Sequence, residues 1–175
     1  MAAEPLNWSR AELSALLLKA GRGAGFPLAH AEDMARAVGR YGDGRAMEAV
    51  LRALGTPWTA LAMKVTERRL IIESACAVQA LPHVVDALTS GCEEALLRGL
   101  DEPCLLAAYL HGTDFAGHPM GEHWRVAQGP ATLAVPAPQP ITPEQIAELE
   151  IFAARTYVPA SLTSREGAGQ GADQD

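Results

Sequence analysis

Residues 111–123 concentrate the side chains that most often bind metals. This segment holds three of the five histidines, His111, His118 and His123, together with Asp114 and Glu122. Imidazole and carboxylate groups are the usual protein ligands of zinc and iron. Their spacing does not match a helical motif such as HExxH, which places two imidazole rings on one face of a helix. We therefore predict a solvated, glycine-containing loop here and no metal.

A second segment with chemical potential is the glycine-rich stretch from Gly21 to Gly25. A glycine loop before a helix can bind phosphate through its free amides and the helix dipole. A dinucleotide site also needs a strand before the loop and an acidic residue after it. Because a helix precedes this loop, we interpret it as a turn between two helices, in which glycine serves the backbone geometry.

Nucleophilic catalysis has little support in the sequence. The chain has no GxSxG motif, which would place a serine on a sharp turn after a strand. Cys76 and Cys104 lie in apolar segments, which favours buried structural thiols over nucleophiles. Asp86, between Val85 and Ala87, is interpreted as a carboxylate on a helix face with a structural role. We expect no cofactor.

Composition and charge bound the class of protein. The chain has 175 residues, of which 49% are hydrophobic, and a formal net charge of −7. An acidic protein of this kind lacks the basic face that nucleic acids and anionic membranes require, so we exclude both as partners. No apolar run approaches the roughly 20 residues of a membrane-spanning helix. An odd number of cysteines without CxxC spacing suits a reducing compartment, and we predict a cytoplasmic protein.

The N-terminal third, which must position any site at the glycine turn, is predicted to be helical. Ser9 and Glu12 form a capping-box pattern, and an apolar stripe follows before the glycine-rich stretch from Gly21 to Gly25 ends the helix. A second helix is predicted over residues 28–38, with a stripe of small residues that permits close approach of a partner helix. A third helix is predicted over residues 45–54.

The middle of the chain changes to strand patterns. One hairpin is predicted from residues 58–65 and 68–74, and a second from residues 123–128 and 131–135. The second hairpin would turn at Gly129 and Pro130. Branched and aromatic residues in these stretches, with turn residues between them, are typical of short antiparallel strands.

Two similar stretches between the hairpins predict a repeated strand–helix unit. Strands are predicted at residues 70–78 and 94–99, and each precedes a helix rich in alanine and leucine. Pro82 and Pro103 are placed at the first positions of these helices, where a missing N–H costs nothing. Chance similarity between two short helices is the alternative explanation.

The C-terminal part begins with a proline-rich linker at residues 136–140. Thr142 then caps a helix, with Pro143 at its first position and Gln145 three residues after the cap, and this helix stops before Pro159. Helices at both ends with short strands between them predict an α+β fold with a small central, mostly antiparallel sheet; an all-α bundle is the alternative. We predict one globular domain over residues 1–160 and a glycine-rich tail over 161–175.

Both ends of the chain carry motifs that resemble a bacterial family known only as a domain of unknown function. LKAGRGAG at residues 18–25, followed by AED at 31–33, is similar to the opening of that family. TYVPAS at residues 156–161, then Ser164, Arg165 and GAG, is similar to its closing motif. Only Glu166 separates Arg165 from the final GAG, where the family has a longer gap. The middle of the chain is not covered.

The resemblance implies that the tail and the glycine turn form one site. Arginine offers two donors in a fixed fork, and glycine lets backbone amides approach an anion. We therefore expect residues 157–165 to be ordered and to fold back, with Arg165 facing Glu32, Asp33 or a bound anion. The expected anion pocket is lined by Lys19, Arg22, Ser161, Ser164 and Arg165.

Three functions stay open on the sequence alone. The protein is a binding or accessory protein for a small anionic metabolite, an enzyme that acts on a carboxylate or phosphate, or an interaction protein with a docking tail. An enzyme is expected to show a histidine or carboxylate of shifted pKa beside the arginines, and an interaction protein an exposed apolar patch. We also predict a homodimer, because the stripe on the second helix and the three tryptophans leave apolar surface to cover.

Overall fold

The computed structural model describes residues 8–73, 76–130 and 138–156, and over these ranges the chain forms helices on a central sheet. In chain order the elements are α1 (Arg10–Gly23), α2 (Leu28–Tyr41), α3 (Gly44–Leu54), β1 (Ala62–Val65), β2 (Arg69–Glu73), α4 (Ala77–Thr89), β3 (Glu94–Arg98), α5 (Cys104–Leu110), β4 (Phe115–Met120), β5 (His123–Gln128) and α6 (Pro143–Ala154). The predicted α+β class is confirmed, and the all-α alternative is wrong.

The five strands form one mixed sheet in the order β1-β2-β3-β5-β4. Only β2 and β3 are parallel, and the other three pairs are antiparallel, as predicted for a mostly antiparallel sheet. The parallel pair follows from the crossover helix α4, which carries the chain back to the starting edge of the sheet. The predicted first hairpin is confirmed as the β1–β2 pair.

The sheet joins the core through one face. Leu70, Ile72 and Leu97 on β2 and β3 are buried in the same cluster as the helices. The intervening positions carry exposed ion pairs, such as Arg98 with Glu73 at 2.8 Å. This alternation is what a sheet with one face on the core requires.

The N-terminal helices begin within one residue of their predicted starts, and α2 continues to Tyr41, three residues beyond its predicted end. The Ser9 side chain accepts a hydrogen bond from the Glu12 amide, and the Glu12 carboxylate accepts one from the Ser9 amide at 2.9 Å. Helix α1 ends at Gly23, within the glycine-rich stretch that was predicted to end it. Gly25 alone in this stretch takes a left-handed backbone conformation, with φ of 88°, and so makes the turn into α2.

The stripe of small residues on α2 is used inside the domain. Ala31, Met34 and Val38 are completely buried. A methyl group on Gly39 would lie 2.1 Å from the Ser14 hydroxyl oxygen, which shows how closely α1 and α2 pack. The stripe therefore leaves no surface for a second copy, and the predicted homodimer now depends on the tryptophans, of which Trp8 is 37% exposed.

The second hairpin differs from its prediction. Strand β5 has the predicted bounds, but it pairs with β4 at residues 115–120 across a turn at Gly121 and Glu122. Residues 131–135, the expected partner, lie outside the described residues. Gly121 has φ of 63°, the left-handed conformation that a tight hairpin turn needs. Residues 115–120, which were predicted to lie in a loop, therefore form strand β4.

Two strand–helix units are present, but the strand predicted to run to residue 78 is too long and one proline is misplaced. Strand β2 ends at Glu73, and α4 then begins at Ala77, so Pro82 lies inside the helix and not at its first position. The Asp101 carboxylate accepts a hydrogen bond from the Ala77 amide at 2.8 Å and so starts the helix before the proline. Pro103 directly precedes the first residue of α5, close to its predicted place.

The last helix is confirmed in its details. Thr142 and Gln145 form the predicted capping box, with Pro143 as the first helical residue. The Gln145 side chain also donates a hydrogen bond to the Gly44 carbonyl at 2.8 Å and thereby ties α6 to the start of α3. None of the helices in the described ranges is long and apolar enough to cross a membrane.

Candidate functional site

A cleft of about 200 Å³ lies where α2, α4 and α5 meet. Its polar lining includes Asp33, Arg36, Arg40, Asp86, Tyr109 and His111. The three helices belong to separate parts of the chain, so the cleft is a product of tertiary packing. Sites for small molecules are typically concave and carry a few convergent polar groups, as this cleft does.

Helical spacing explains which α2 side chains enter the cleft. Asp33, Arg36 and Arg40 recur every three or four residues and therefore lie along one face of the helix. The buried stripe of small residues occupies the opposite side of α2. The amphipathic pattern that packs α2 into the domain thus also presents one row of charged residues to the cleft.

The charges in the cleft are only partly neutralised by one another. Arg36 Nη1 lies 2.8 Å from Asp33 Oδ1, an ion pair one turn apart on α2. Within the described part of the chain, the side chains of Arg40 and Asp86 form no ion pair or hydrogen bond. One cationic and one anionic group are therefore free to meet a ligand.

Two buried polar atoms lie at the same junction of helices. The Nε2 atom of His30 and the hydroxyl of Tyr109 are shielded from solvent and have no hydrogen-bond partner among the described residues. The Asp33 carboxylate acts electrostatically on both groups. A buried polar atom without a partner costs about 1–3 kcal/mol, so native proteins rarely keep one without a reason.

His30 is held as a neutral ring in the packed junction of α2 and α4. Its ring centroid lies 5.1 Å from that of His83 and 4.8 Å from that of Trp58. Burial is the main cause that lowers the pKa of His30, and the nearby His83 lowers it further. Its Nε2 atom has no hydrogen-bond partner among the described residues.

Tyr109 keeps its proton. Only 7% of the residue is exposed, and burial raises the pKa of its hydroxyl far above the usual value. The charge of Asp33 raises this pKa further. The hydroxyl is therefore a neutral hydrogen-bonding group in the cleft wall and not a source of charge.

The predicted pocket at the glycine turn is described only in part. Lys19 and Arg22 are exposed on the last turns of α1. Ser161, Ser164 and Arg165 lie outside the described residues, so that pocket stays a prediction. A methyl group on Gly23 would lie 1.9 Å from the Phe152 carbonyl oxygen, which places the last turn of α6 directly against the last turn of α1.

The histidines of residues 111–123 are dispersed. His111 lies in the cleft, where its ring is 5.8 Å from the ring of Tyr41. His118 and His123 lie on β4 and β5, opposite Arg125 and Met120 respectively. Within the described ranges, no group of three or more histidine, cysteine, aspartate or glutamate side chains is arranged to hold a metal ion.

The thiols are unsuited to nucleophilic attack. Burial is the main cause that raises the pKa of Cys76. Cys104 was expected to be buried, but as the first residue of α5 it is exposed. Its thiol is nevertheless partly desolvated by neighbouring protein atoms, and this effect and the charge of Glu102 raise its pKa, so both thiols stay protonated near neutral pH.

Comparison with known proteins adds no assignment. No family model, curated protein or solved structure matches this chain. The resemblance of the two chain ends to a family therefore stays a prediction. Any function must be argued from the chain's own residues.

Most residues of the cleft were not predicted as site residues. His111 and Asp86 stand out in the sequence for other reasons, but Arg40 and Tyr109 were not predicted, and neither was the neighbouring His30. The sequence does contain one pattern that could have predicted this region. His30 and Asp33, and likewise His83 and Asp86, form histidine–aspartate pairs with helical i, i+3 spacing. The structure shows that these two pairs lie on facing helices.

Proposed function

We propose that this protein binds a small anionic molecule in the cleft between α2, α4 and α5. The observation that carries the proposal is the unpaired guanidinium group of Arg40 in the cleft lining. Arginine binds carboxylate and phosphate groups through two parallel hydrogen bonds, and such charge-assisted bonds contribute about 1.5–3 kcal/mol each. A net charge of −7 makes a local cationic group necessary for any anion to bind.

The test is a titration of the full chain with acetate and with inorganic phosphate, followed by calorimetry or NMR. Arg40→Gln is expected to weaken binding about tenfold, which corresponds to the loss of about 1.4 kcal/mol. The matched control is Arg10→Gln, which removes an exposed arginine from the first turn of α1, away from the cleft lining. An unchanged affinity in both variants would overturn the proposal.

The pocket predicted from Lys19, Arg22 and the tail is the second candidate for the same function. Its support is the contact between Gly23 and the end of α6, from which the tail continues. Arg22→Gln distinguishes the two sites in the same titration. If Arg22→Gln weakens anion binding and Arg40→Gln does not, the anion binds at the glycine turn.

Catalysis is a separate candidate function, and His30 favours it. Burial lowers its pKa and keeps the ring neutral, as a general base requires, and His30 lies one turn before Asp33, which lines the cleft. A docking role has weaker support, since the exposed apolar side chains Met63 and Met120 lie on strands at opposite edges of the sheet. We also propose that the protein is cytoplasmic and forms a homodimer.

A further inference from the structure

The lining of the cleft carries charges of both signs, Asp33 and Asp86 together with Arg36 and Arg40, and His111 lies beside them. Arg36 is paired with Asp33 at 2.8 Å, which leaves Asp86 and Arg40 as the charged lining groups without an ion pair among the described residues. We call the part of the lining near the contact of His30 with His83 the acidic end, and the part near the contact of Tyr41 with His111 the basic end. We infer that the ligand is zwitterionic, a small molecule that carries an amine at one end and a carboxylate at the other. This inference rests on the proposed function and names its ligand class.

The acidic end offers hydrogen-bond acceptors. Asp33 on α2 and Asp86 on α4 each follow a histidine by three residues, and the rings of His30 and His83 are 5.1 Å apart. This ring contact places the two histidine–aspartate pairs at the same level of the α2–α4 junction. The charges of both aspartates act on His30, which places them near the same point of the junction. A carboxylate without an ion pair, as at Asp86, is the partner that an ammonium group needs.

The basic end offers donors. Arg40 lies seven residues after Asp33 on α2, which is about 10 Å along the helix axis at 1.5 Å per residue. His111 lies at this same end, because its ring is in contact with Tyr41, the residue that follows Arg40. A carboxylate placed here meets a cationic guanidinium and an imidazole.

The balance of free charges supports the same ligand class. Arg40 and Asp86 are each without an ion pair within the described residues. A simple anion would meet Arg40 but would also face the like charge of Asp86 in the same cleft, and this repulsion opposes its binding. A zwitterion satisfies both groups and adds no net charge to an already acidic protein.

The experiment compares ligands that differ only in the amine. The probes are glycine, γ-aminobutyrate and ε-aminocaproate, each titrated into the full chain beside the matching acid without an amine: acetate, butyrate and caproate. At least one amino acid is expected to bind about tenfold more tightly than its matching acid. Three lengths are used because the two ends of the cleft are separated along α2.

Variants assign the effect to residues. Asp86→Asn is expected to remove the tenfold advantage of the amino acid and to leave the affinity for the matching acid unchanged. Arg40→Gln is expected to weaken both. The matched control is Glu148→Gln, an exposed carboxylate on α6, which changes neither.

The outcomes separate the inference from the proposed function. If the acids bind as tightly as the amino acids, or if Asp86→Asn has no effect, the ligand is a simple anion and the inference is wrong. If, in addition, Arg40→Gln leaves the binding of acetate and phosphate unchanged, the proposed function is wrong as well. Binding by no probe at millimolar concentration overturns both.

Discussion

At Gly23, helix α1 passes so close to α6 that only hydrogen fits on the α-carbon. A methyl group there would lie 1.9 Å from the Phe152 carbonyl oxygen, and a backbone atom cannot rotate away. We predict that Gly23→Ala lowers the free energy of unfolding by about 1–3 kcal/mol, because the two helices must separate. Urea denaturation monitored by circular dichroism measures this change.

Gly55→Ala is the matched control for that prediction. The added methyl group would lie 3.5 Å from its nearest neighbour, an ordinary contact, and the residue has φ of −80°, which alanine adopts without strain. Its free energy of unfolding is expected to stay within about 1 kcal/mol of the parent. Equal stability of the two variants would show that α1 and α6 do not pack as described.

A second prediction at the level of single residues concerns His30 and pH. Its pKa in the folded protein is lowered below the ordinary value of 6.5, mainly by burial. The unfolded chain therefore binds more protons just below that pH, so acid must destabilise the fold. We predict that the free energy of unfolding falls as the pH drops below about 6.5 and continues to fall until the folded-state pKa is reached.

The measurement is urea denaturation across this range for the parent, His30→Gln and His123→Gln. His30→Gln is expected to flatten the fall in stability between about pH 7 and about pH 5, because it removes the group whose pKa shifts. His123 is exposed on β5, so its replacement serves as the control. The same slope in all three proteins would mean that His30 is not held neutral by the fold.

Among the elements, α4 depends on a cap from a distant part of the chain. The Asp101 carboxylate, 24 residues away, accepts the hydrogen bond of the Ala77 amide at 2.8 Å. We predict that Asp101→Ala lowers the free energy of unfolding by about 0.5–2 kcal/mol, the usual cost of losing a helix cap. It should also speed hydrogen exchange in the first turn of α4, which mass spectrometry detects.

The effect of Asp101→Ala must be local to α4 if the cap is its cause. Asp114→Ala serves as the control, since its carboxylate forms no hydrogen bond or ion pair with the described residues. A helix that exchanges uniformly faster in both variants would contradict a capping role. Because α4 also carries Asp86, loss of the cap is expected to weaken ligand binding in the cleft.

For the whole molecule, the central question is whether the tail belongs to the domain. The last turn of α6, near the end of the described residues, packs against Gly23 of the glycine turn. We predict that removal of residues 160–175 lowers the melting temperature and speeds hydrogen exchange in residues 19–33. If neither changes, the tail is not part of the fold, and the pocket of Lys19, Arg22 and Arg165 does not form.

Local features of this protein are determined by the sequence itself. The caps at Ser9 and Thr142, the β1–β2 hairpin and the buried stripe of α2 are all correctly predicted. Each depends on residues that are near one another in the chain, where backbone geometry alone brings the groups together. The α+β class follows from these elements, because helices at both ends of the chain must pack against a sheet formed by the strands between them.

Features that join distant segments are decided only by the tertiary structure. The start of α4 before Pro82 depends on Asp101, which is distant in the chain. Strand β5 pairs with β4, which precedes it, whereas the predicted partner was the segment after β5. The cleft needs Arg40, Asp86 and Tyr109 from three separate helices. No local pattern encodes such a meeting, because it depends on how the helices pack against one another once the core is buried.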